Sequence, residues 1–413
     1  MKQKLFTKDF TMVVIGQIIS LFGNAIIRFV LPLYLLNLTG SSALYGTVMA
    51  CAFVPAVMLS PVGGIAADRV NKRNVMVILD FFTAAVILSF YLLMNVGNLV
   101  FLLTVTLMLL YGIAGAYQPS VQASVPALTS QDKFMAANSI INTIGSFASL
   151  AGPVLGGILY SAYGLKPILW VCIICFTLSA VLELFIQIPF QKQASGGSIL
   201  KIAKADFIQS VWFIRKEKPA IQKALLVVCG INLFLGAMVI VALPYLITEV
   251  FDLEAPLANR LYGFAQGALA AGGLAGGISS GIFAEKLTIH KSGNLVMCCV
   301  ACVFPVSGFL AVCSSGMINY IVLTVCCFMI MFFSTILTVL MISFIQTETP
   351  QHFIGKVMSV ILTVSMCAQP LGNALYGVLF EVCRGYEFGV VLFSGVVSLL
   401  IAVGARGIFK GLK

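Results

Sequence analysis

Two kinds of residue in this chain could do chemistry: ionisable side chains set in apolar runs, and an acid-base pair that recurs. Arg28 stands in an otherwise apolar stretch, where a central charge costs at least about 2.5–3.5 kcal/mol to insert. Gln17, Asn24 and Arg28 are spaced i, i+7, i+11, within about 40° of one helix face. Such a face could bind an anionic or polar part of a substrate, or pair with a titrating acid. The alternative is that Arg28 snorkels outward or pairs with Glu249 or Glu381. Asp80 and Glu183 are candidate proton carriers. Each lies about two turns, ~8–9 Å, from the inner edge of its run, so a structural acid reaching inner Lys or Arg is the plainer reading. Arg28 is ~15 Å further out by the same rise, which argues against a direct Arg28–Asp80 pair.

The recurring pair sits in a hexapeptide. Gly64-Ile65-Ala66-Ala67-Asp68-Arg69 returns as Gly281-Ile282-Phe283-Ala284-Glu285-Lys286, 217 residues later in a chain of 413. Both copies close a glycine-rich apolar run and open a basic loop, the first continuing to Lys72 and Arg73. A mere charge anchor needs neither the glycine nor the acid. The repeat therefore marks a duplicated protein with a working loop.

The elements that position these residues follow from composition. The chain is 60% hydrophobic and 9% charged, with mean hydropathy +1.07; a soluble domain carries about 25% charged residues. Runs long enough to cross a bilayer as helices, about 20 residues, fall near 10–37, 42–66, 75–95, 99–119, 138–163, 166–188, 222–250, 258–284, 294–314, 317–345, 357–383 and 386–408. The runs lack the polar-apolar alternation of a membrane barrel. The expected fold is thus all-α and membrane-embedded, with twelve spans.

The net charge of +10 could suggest nucleic acid. Its placement argues otherwise. With a cytoplasmic N-terminus, the inner loops and tails hold 20 of the 24 Lys and Arg, and only Lys166, Arg260 and Arg384 fall outside. That is the positive-inside pattern, with both termini cytoplasmic and no polyanionic partner. The basic, then apolar, N-terminus lacks a small-residue cleavage site and reads as a retained first span. The 12 cysteines lie almost wholly in apolar runs. Cys172/Cys175 and Cys299/Cys302 have CxxC spacing but no nearby histidine, so neither metal nor cofactor is expected.

A polar stretch divides the chain into an N-terminal six-helix half (1–190), a linker (191–221) and a C-terminal six-helix half (222–413). Phe207, Val211, Trp212 and Ile214 make part of the linker amphipathic, which suggests a helix on the inner leaflet. The halves repeat further. Gly23 with Leu31-Pro32 parallels Gly236 with Leu243-Pro244, and Gly152-Pro153 parallels Gln369-Pro370. In span 5, Asn138, Asn142, Gly145, Ser149, Gly152 and Gly156 form one stripe. Small residues there permit close helix contact and Pro153 a bend. The stripe reads as a pliable interface against the other half, or as ordinary packing. Asn232, Gln266, Ser334, Thr338, Ser365, Gln369 and Asn373 complete a neutral polar set, open also to a plain reading as interhelical hydrogen bonds.

At these residues the chain resembles the major facilitator superfamily over its full length. The loop Gly64, Asp68, Arg69, Lys72, Arg73 is similar to the family's Gly-x-Leu-Ala-Asp-Arg-x-Gly-Arg-Lys/Arg pattern, with Asn71 where Gly is usual. Gly145…Gly152-Pro153-x-x-Gly156-Gly157 resembles the antiporter motif of drug-proton exporters. Span 1, with Gly23-Asn24 and Leu31-Pro32, is similar to the macrolide-efflux and enterobactin-exporter branch, where Asp is common at the position of Asn24. One departure stands out: many drug-proton antiporters carry an Arg four residues before a Gly in span 4, and here Tyr111 precedes Gly115.

The resemblance implies that Asp68 faces the start of span 11 near Lys356-Val357 in the outward-open state, where free backbone N–H groups favour an anion. It also implies that span 1 lines the cavity, while spans 3 and 6 lie away from it. The expected function is a secondary transporter, acting as a monomer in the cell membrane, that exports an amphipathic, largely apolar compound by alternating access in exchange for protons. Its expected partners are that small substrate, a proton or other ion, and the lipid bilayer. A lysolipid or lipid flippase, a siderophore exporter and a non-transporting sensor stay open. An enzyme is not expected, since no soluble domain, phosphate-cradling loop or His-acid-nucleophile set is present in the spans.

Overall fold

In hydrocarbon no water pairs a backbone N–H or C=O, so a spanning segment must pair its own, as a helix does. The computed structural model describes residues 7–69, 71–129, 134–187, 208–283, 289–350 and 354–410, and among these every regular element is helical. The long helices are α1 (Lys8–Thr39), α2 (Ser42–Arg69), α3 (Lys72–Leu93), α4 (Leu99–Leu128), α5 (Phe134–Tyr163) and α6 (Leu165–Leu184). They continue as α7 (Pro219–Val250), α8 (Ala255–Ile282), α9 (Ser292–Val312), α10 (Gly316–Glu348), α11 (Ile354–Val382) and α12 (Glu387–Lys410). Eleven of them are long and apolar enough to cross a membrane. The twelfth expected span corresponds to α8, a helix of 28 residues that falls outside that set. Its many glycines, with Asn259, Arg260 and Gln266, lower its hydropathy.

Local chemistry sets the ends and irregularities. Asn71 caps α3 by accepting from the backbone N–H of Arg73 at 3.1 Å. Gly40 and Gly164 turn the chain between α1 and α2 and between α5 and α6, with φ of 60° and 73°. Helix α7 contains two π-helical segments, Asn232–Gly236 and Leu246–Val250. Pro244 lies between them, and the Thr248 hydroxyl donates to its carbonyl at 3.1 Å.

The helices gather into two compact units. The first holds α1 as far as Leu38, α2 from Cys51, α3 to α6, and Ala255–Gly267 of α8. The second holds α2 as far as Ala50, α7, α8 from Ala268, and α9 to α12. The opening turns of α2 and α8 each depend on a glycine crossing. In the second unit, a Cβ on Gly46 of α2 would lie 2.3 Å from the Asn373 carbonyl and 2.8 Å from Gly377 Cα of α11. In the first unit, a Cβ on Gly263 of α8 would lie 2.6 Å from the Pro153 carbonyl and 3.3 Å from Gly157 Cα of α5. Gly46 and Gly263 are 217 residues apart, the offset of the repeated hexapeptide.

The linker residues 188–207 lie outside the described residues. Just beyond them, Phe213 and Ile214 are buried against Ile345, Val357, Val360 and Ile361. The described part of the amphipathic segment is anchored on α10 and α11 by these two side chains, while Trp212 stays exposed. Lys218 closes the anchor with an ion pair to Glu348 at 2.7 Å.

Replacing Gly46 or Gly263 by leucine forces backbone apart, at about the 1–3 kcal/mol typical of overpacking or more. Thermal unfolding in detergent should show a clear drop for both. Gly277→Ala, whose added Cβ meets nothing within 4 Å, should melt at or above the wild-type temperature. Equal midpoints for all three would show that the crossings are loose.

Candidate functional site

The first unit brings four helices, α1, α3, α4 and α6, together around buried polar side chains. Gln17 and Glu183 are 0% exposed and Asp80 is 2% exposed. The Ser20 hydroxyl of α1 donates to Asp80 Oδ1 of α3 at 3.0 Å. The Tyr117 hydroxyl of α4 donates to Glu183 Oε1 of α6 at 2.8 Å, and accepts from Gln17 Nε2 of α1 at 2.7 Å. Ser179 of α6 also reaches Asp80, while its hydroxyl donates to the Gly16 carbonyl at 3.1 Å. Gly16 allows this: a Cβ there would touch Ser179 Oγ at 3.4 Å and Glu183 Cγ at 3.6 Å.

Neither acid reaches a lysine or arginine; among the described residues neither carboxyl forms an ion pair. This corrects the structural reading of Asp80 and Glu183. Helix α6 ends at Leu184, so Glu183 stands in its last turn and points inward to α1 and α4. Arg73, the nearest base by sequence, instead donates to the Leu184 carbonyl. Tyr117, Ser20 and Ser179 were missed in the sequence reading. The signal available was their place as isolated hydroxyls in apolar runs.

Arg28 is half-buried, and its guanidinium carbon lies 3.6 Å from the centre of the Tyr111 ring. This is a cation–π stack, worth about 0.5–2 kcal/mol according to desolvation. Phe53 packs on the same ring, 5.2 Å between centroids. Glu249 and Glu381, the expected alternatives, form no ion pair with Arg28 among the described residues. Glu381 accepts from Ser41, Ser42 and the Ala43 backbone at the start of α2. The cation of span 1 therefore sits over the span 4 position where Tyr111 stands in place of an arginine. Asn24 adds a buried Oδ1 with no hydrogen-bond partner among the described residues.

The glycines of α5 divide their contacts. Gly152 and Gly156 meet α1, with Cβ positions 2.3 Å from Ala25 Cβ and 2.9 Å from Phe29 Cδ1. Gly157, the neighbour of the stripe, makes the contact with α8. Two of the six stripe residues thus pack on α1. Gly145 meets nothing within 4 Å, Ser149 donates to its carbonyl at 2.8 Å, and Asn142 is exposed. On α8, Gln266 donates to the Tyr262 hydroxyl at 3.1 Å, and Tyr262 stacks on Phe29 at 4.7 Å.

In the second unit a polar line runs along α11. Asn232, the first residue of a π segment, donates to the Ser365 carbonyl at 3.2 Å. Gln369 lies over Gly236, where a Cβ would meet its Oε1 at 3.5 Å, and donates to Asn373 Oδ1 at 3.5 Å. Ser334 is half-buried; its carbonyl accepts from Thr338, which is exposed. Of the loop motif, α2 runs through Gly64, Asp68 and Arg69 and α3 opens at Lys72. The side chains at 60–70 and residues Glu285 and Lys286 lie outside the described residues.

A glycine-crossed helical bundle with buried charge on α1, α3 and α6 invites comparison with known transporters. The family model for the Major Facilitator Superfamily matches residues 13–373. The chain belongs to the Major Facilitator Superfamily. It is 23% identical over 404 residues to macrolide efflux protein A of Streptococcus pyogenes, covering 94% of this chain and 93% of that protein. It is 29% identical over 196 residues to multidrug resistance protein MdtG of Enterobacter lignolyticus (strain SCF1), covering 45% of each. The crystal structure of nucleoside transporter NupG superposes with a TM-score of 0.76 at 12% identity, covering 98% of this chain and all of that one. A bacterial homologue of the iron transporter ferroportin, inward-facing, superposes with a TM-score of 0.68 at 17% identity, covering 97% of this chain and all of that one. These two structures speak to fold alone. The protein is a multi-pass membrane transporter of this superfamily rather than an enzyme.

Tyr111→Leu removes the ring face under Arg28 and should lower stability by about 0.5–2 kcal/mol. Tyr111→Phe keeps the face and should remain close to wild type. Thermal unfolding of the two purified variants checks this; equal losses would mean that the hydroxyl, not the ring, holds Arg28.

Proposed function

We propose that this transporter exports amphipathic, largely apolar compounds by alternating access, with protons moving inward in exchange. The six-helix halves 1–190 and 222–413 are the alternating bodies of this reading, joined by 191–221, with both termini cytoplasmic and a monomer as the working unit. The observation that carries it is Arg28. It is half-buried, stacked on Tyr111 and without a carboxylate partner among the described residues. A cation held on an aromatic face beside the free Asn24 Oδ1 offers both apolar surface and polar selection to a ligand. The efflux and multidrug-resistance names of two relatives support drug-like cargo. Gln17, Asn24, Arg28, Tyr111, Asn142, Asn232, Gln266, Ser334, Thr338, Gln369 and Asn373 belong to its substrate or ion pathway, and the Asp68 loop to its gate.

One feature favours a second reading, export or flipping of a lysolipid: an uncompensated guanidinium suits a phosphate, by paired N–H donors.

The test uses proteoliposomes under an imposed proton gradient, with erythromycin, ethidium and a lysophosphatidylcholine analogue as probes and internal pH as readout. Drug-evoked proton movement is the expected result; movement evoked by the lysolipid alone would replace this reading with the second. Arg28→Gln should raise the KM of the active probe about tenfold or more, a loss of about 1.4 kcal/mol. Arg28→Lys should recover only part of it, because the planar stack is lost. Asp68→Asn should lower efflux with expression retained, and normal efflux there would remove the loop from the gate.

A further inference from the structure

The acids of α3 and α6 leave an unbalanced hydrogen-bond inventory. Asp80 Oδ2, Glu183 Oε2 and Gln17 Oε1 are buried oxygens with no partner among the described residues. The hydroxyls beside them already have acceptors: Ser20 on Asp80, Tyr117 on Glu183, and Ser179 on the Gly16 carbonyl within reach of Asp80. Buried polar atoms are seldom left unpaired. Three unpaired acceptors around two carboxyls call for a donor that the fixed side chains do not supply.

The charges around the site are few. On α3, Arg73 is turned to the Leu184 carbonyl. On α1, Asp9 accepts from the Gln187 backbone. Among the described residues, helix α4 contributes the Tyr117 phenol, and α6 contributes Glu183 with Cys172, whose thiol turns to the Gly23 carbonyl. Phe10, Val13, Val14 and Met76, with Ala137 and Ile141 of α5, pack around Tyr117 and keep water from it.

We infer that Asp80, Glu183, Tyr117 and Gln17 form the site that holds the exchanged proton. The inference rests on the exchange reading above and adds the place of the ion. A proton binds one carboxylate oxygen of the pair, and the new O–H donates to one of the unpaired oxygens. Its release leaves two buried carboxylates that repel in low dielectric, and it alters the acceptor to which Tyr117 donates. Tyr117 also accepts from Gln17, so the change passes to α1. Helices α1 and α4 meet again at Arg28 and Tyr111. Proton site and substrate site are thereby two contacts of one helix pair.

The deciding experiment reconstitutes wild type, Asp80→Asn, Glu183→Gln and Tyr117→Phe with an internal pH dye, using the probe active in the wild type. The two acid variants should lose about tenfold or more of the probe-evoked proton flux while still binding the probe. Tyr117→Phe should move the pH dependence of transport. Proton flux equal to wild type in both acid variants overturns the inference and leaves the export reading standing. Wild-type inactivity with every probe and gradient overturns the export reading and this inference with it. Transport driven by sodium alone, and lost in the acid variants, replaces the proton by sodium and overturns the inference. Should the variants not fold, the wild type decides. Dicyclohexylcarbodiimide adds to protonated carboxyls in apolar surroundings. A pH-dependent adduct on Asp80 or Glu183 by mass spectrometry supports the site, and no adduct on either at any pH overturns it.

Discussion

A helix in hydrocarbon satisfies its own backbone, and nothing else in the bilayer will do so. The hydrophobic effect then adds little to helix association, and close packing has to supply it. In this chain the closest packing is made where a Cβ is missing. Gly46 against Gly377 and Gly263 against Gly157 bring backbones together at two places. Each fixes the opening turns of a helix to a unit that its later turns do not join.

The same scarcity of partners governs the polar groups. Glu381 finds three donors at the start of α2, and Lys218 finds Glu348. Arg28 takes an aromatic face instead of a carboxylate. Asp80 and Glu183 take hydroxyls and leave oxygens over. The satisfied pairs brace the fold. Arg28, Asp80 and Glu183 lie on α1, α3 and α6 of the first unit.

Much of this was legible in the residues. Apolar length alone places the helices, and only α8 falls short, because glycine lowers hydropathy without shortening a helix. The hexapeptide offset is met again between Gly46 and Gly263, which pattern reading did not pick out, since a lone glycine carries no chemical signature. Partnerships between distant helices were not legible. Asp80 and Glu183 are 103 residues apart, and only the direct packing of α3 on α6 shows that the two acids stand in one polar cluster. Arg28 carried its cost in the sequence but not its solution, because Tyr111 reads as ordinary aromatic packing until the guanidinium is seen above it. Helical spacing placed Gly157 just off the stripe of its neighbours, and that offset is what turns it to α8 rather than α1.

The π segments of α7 have a consequence for how the two repeats can drift apart. A π turn is an α turn with one residue too many, wound in without breaking the helix. Helix α7 has two such turns, at Asn232–Gly236 and Leu246–Val250, while its repeat partner α1 is described as continuous α-helix. Removing one residue from either π turn relaxes it to an α turn and preserves the register on both sides. Removing one from α1 rotates everything beyond the cut by about 100°. The duplicated halves thus differ in their tolerance of single-residue deletion, and the helix with slack is not the one that carries Gln17, Asn24 and Arg28.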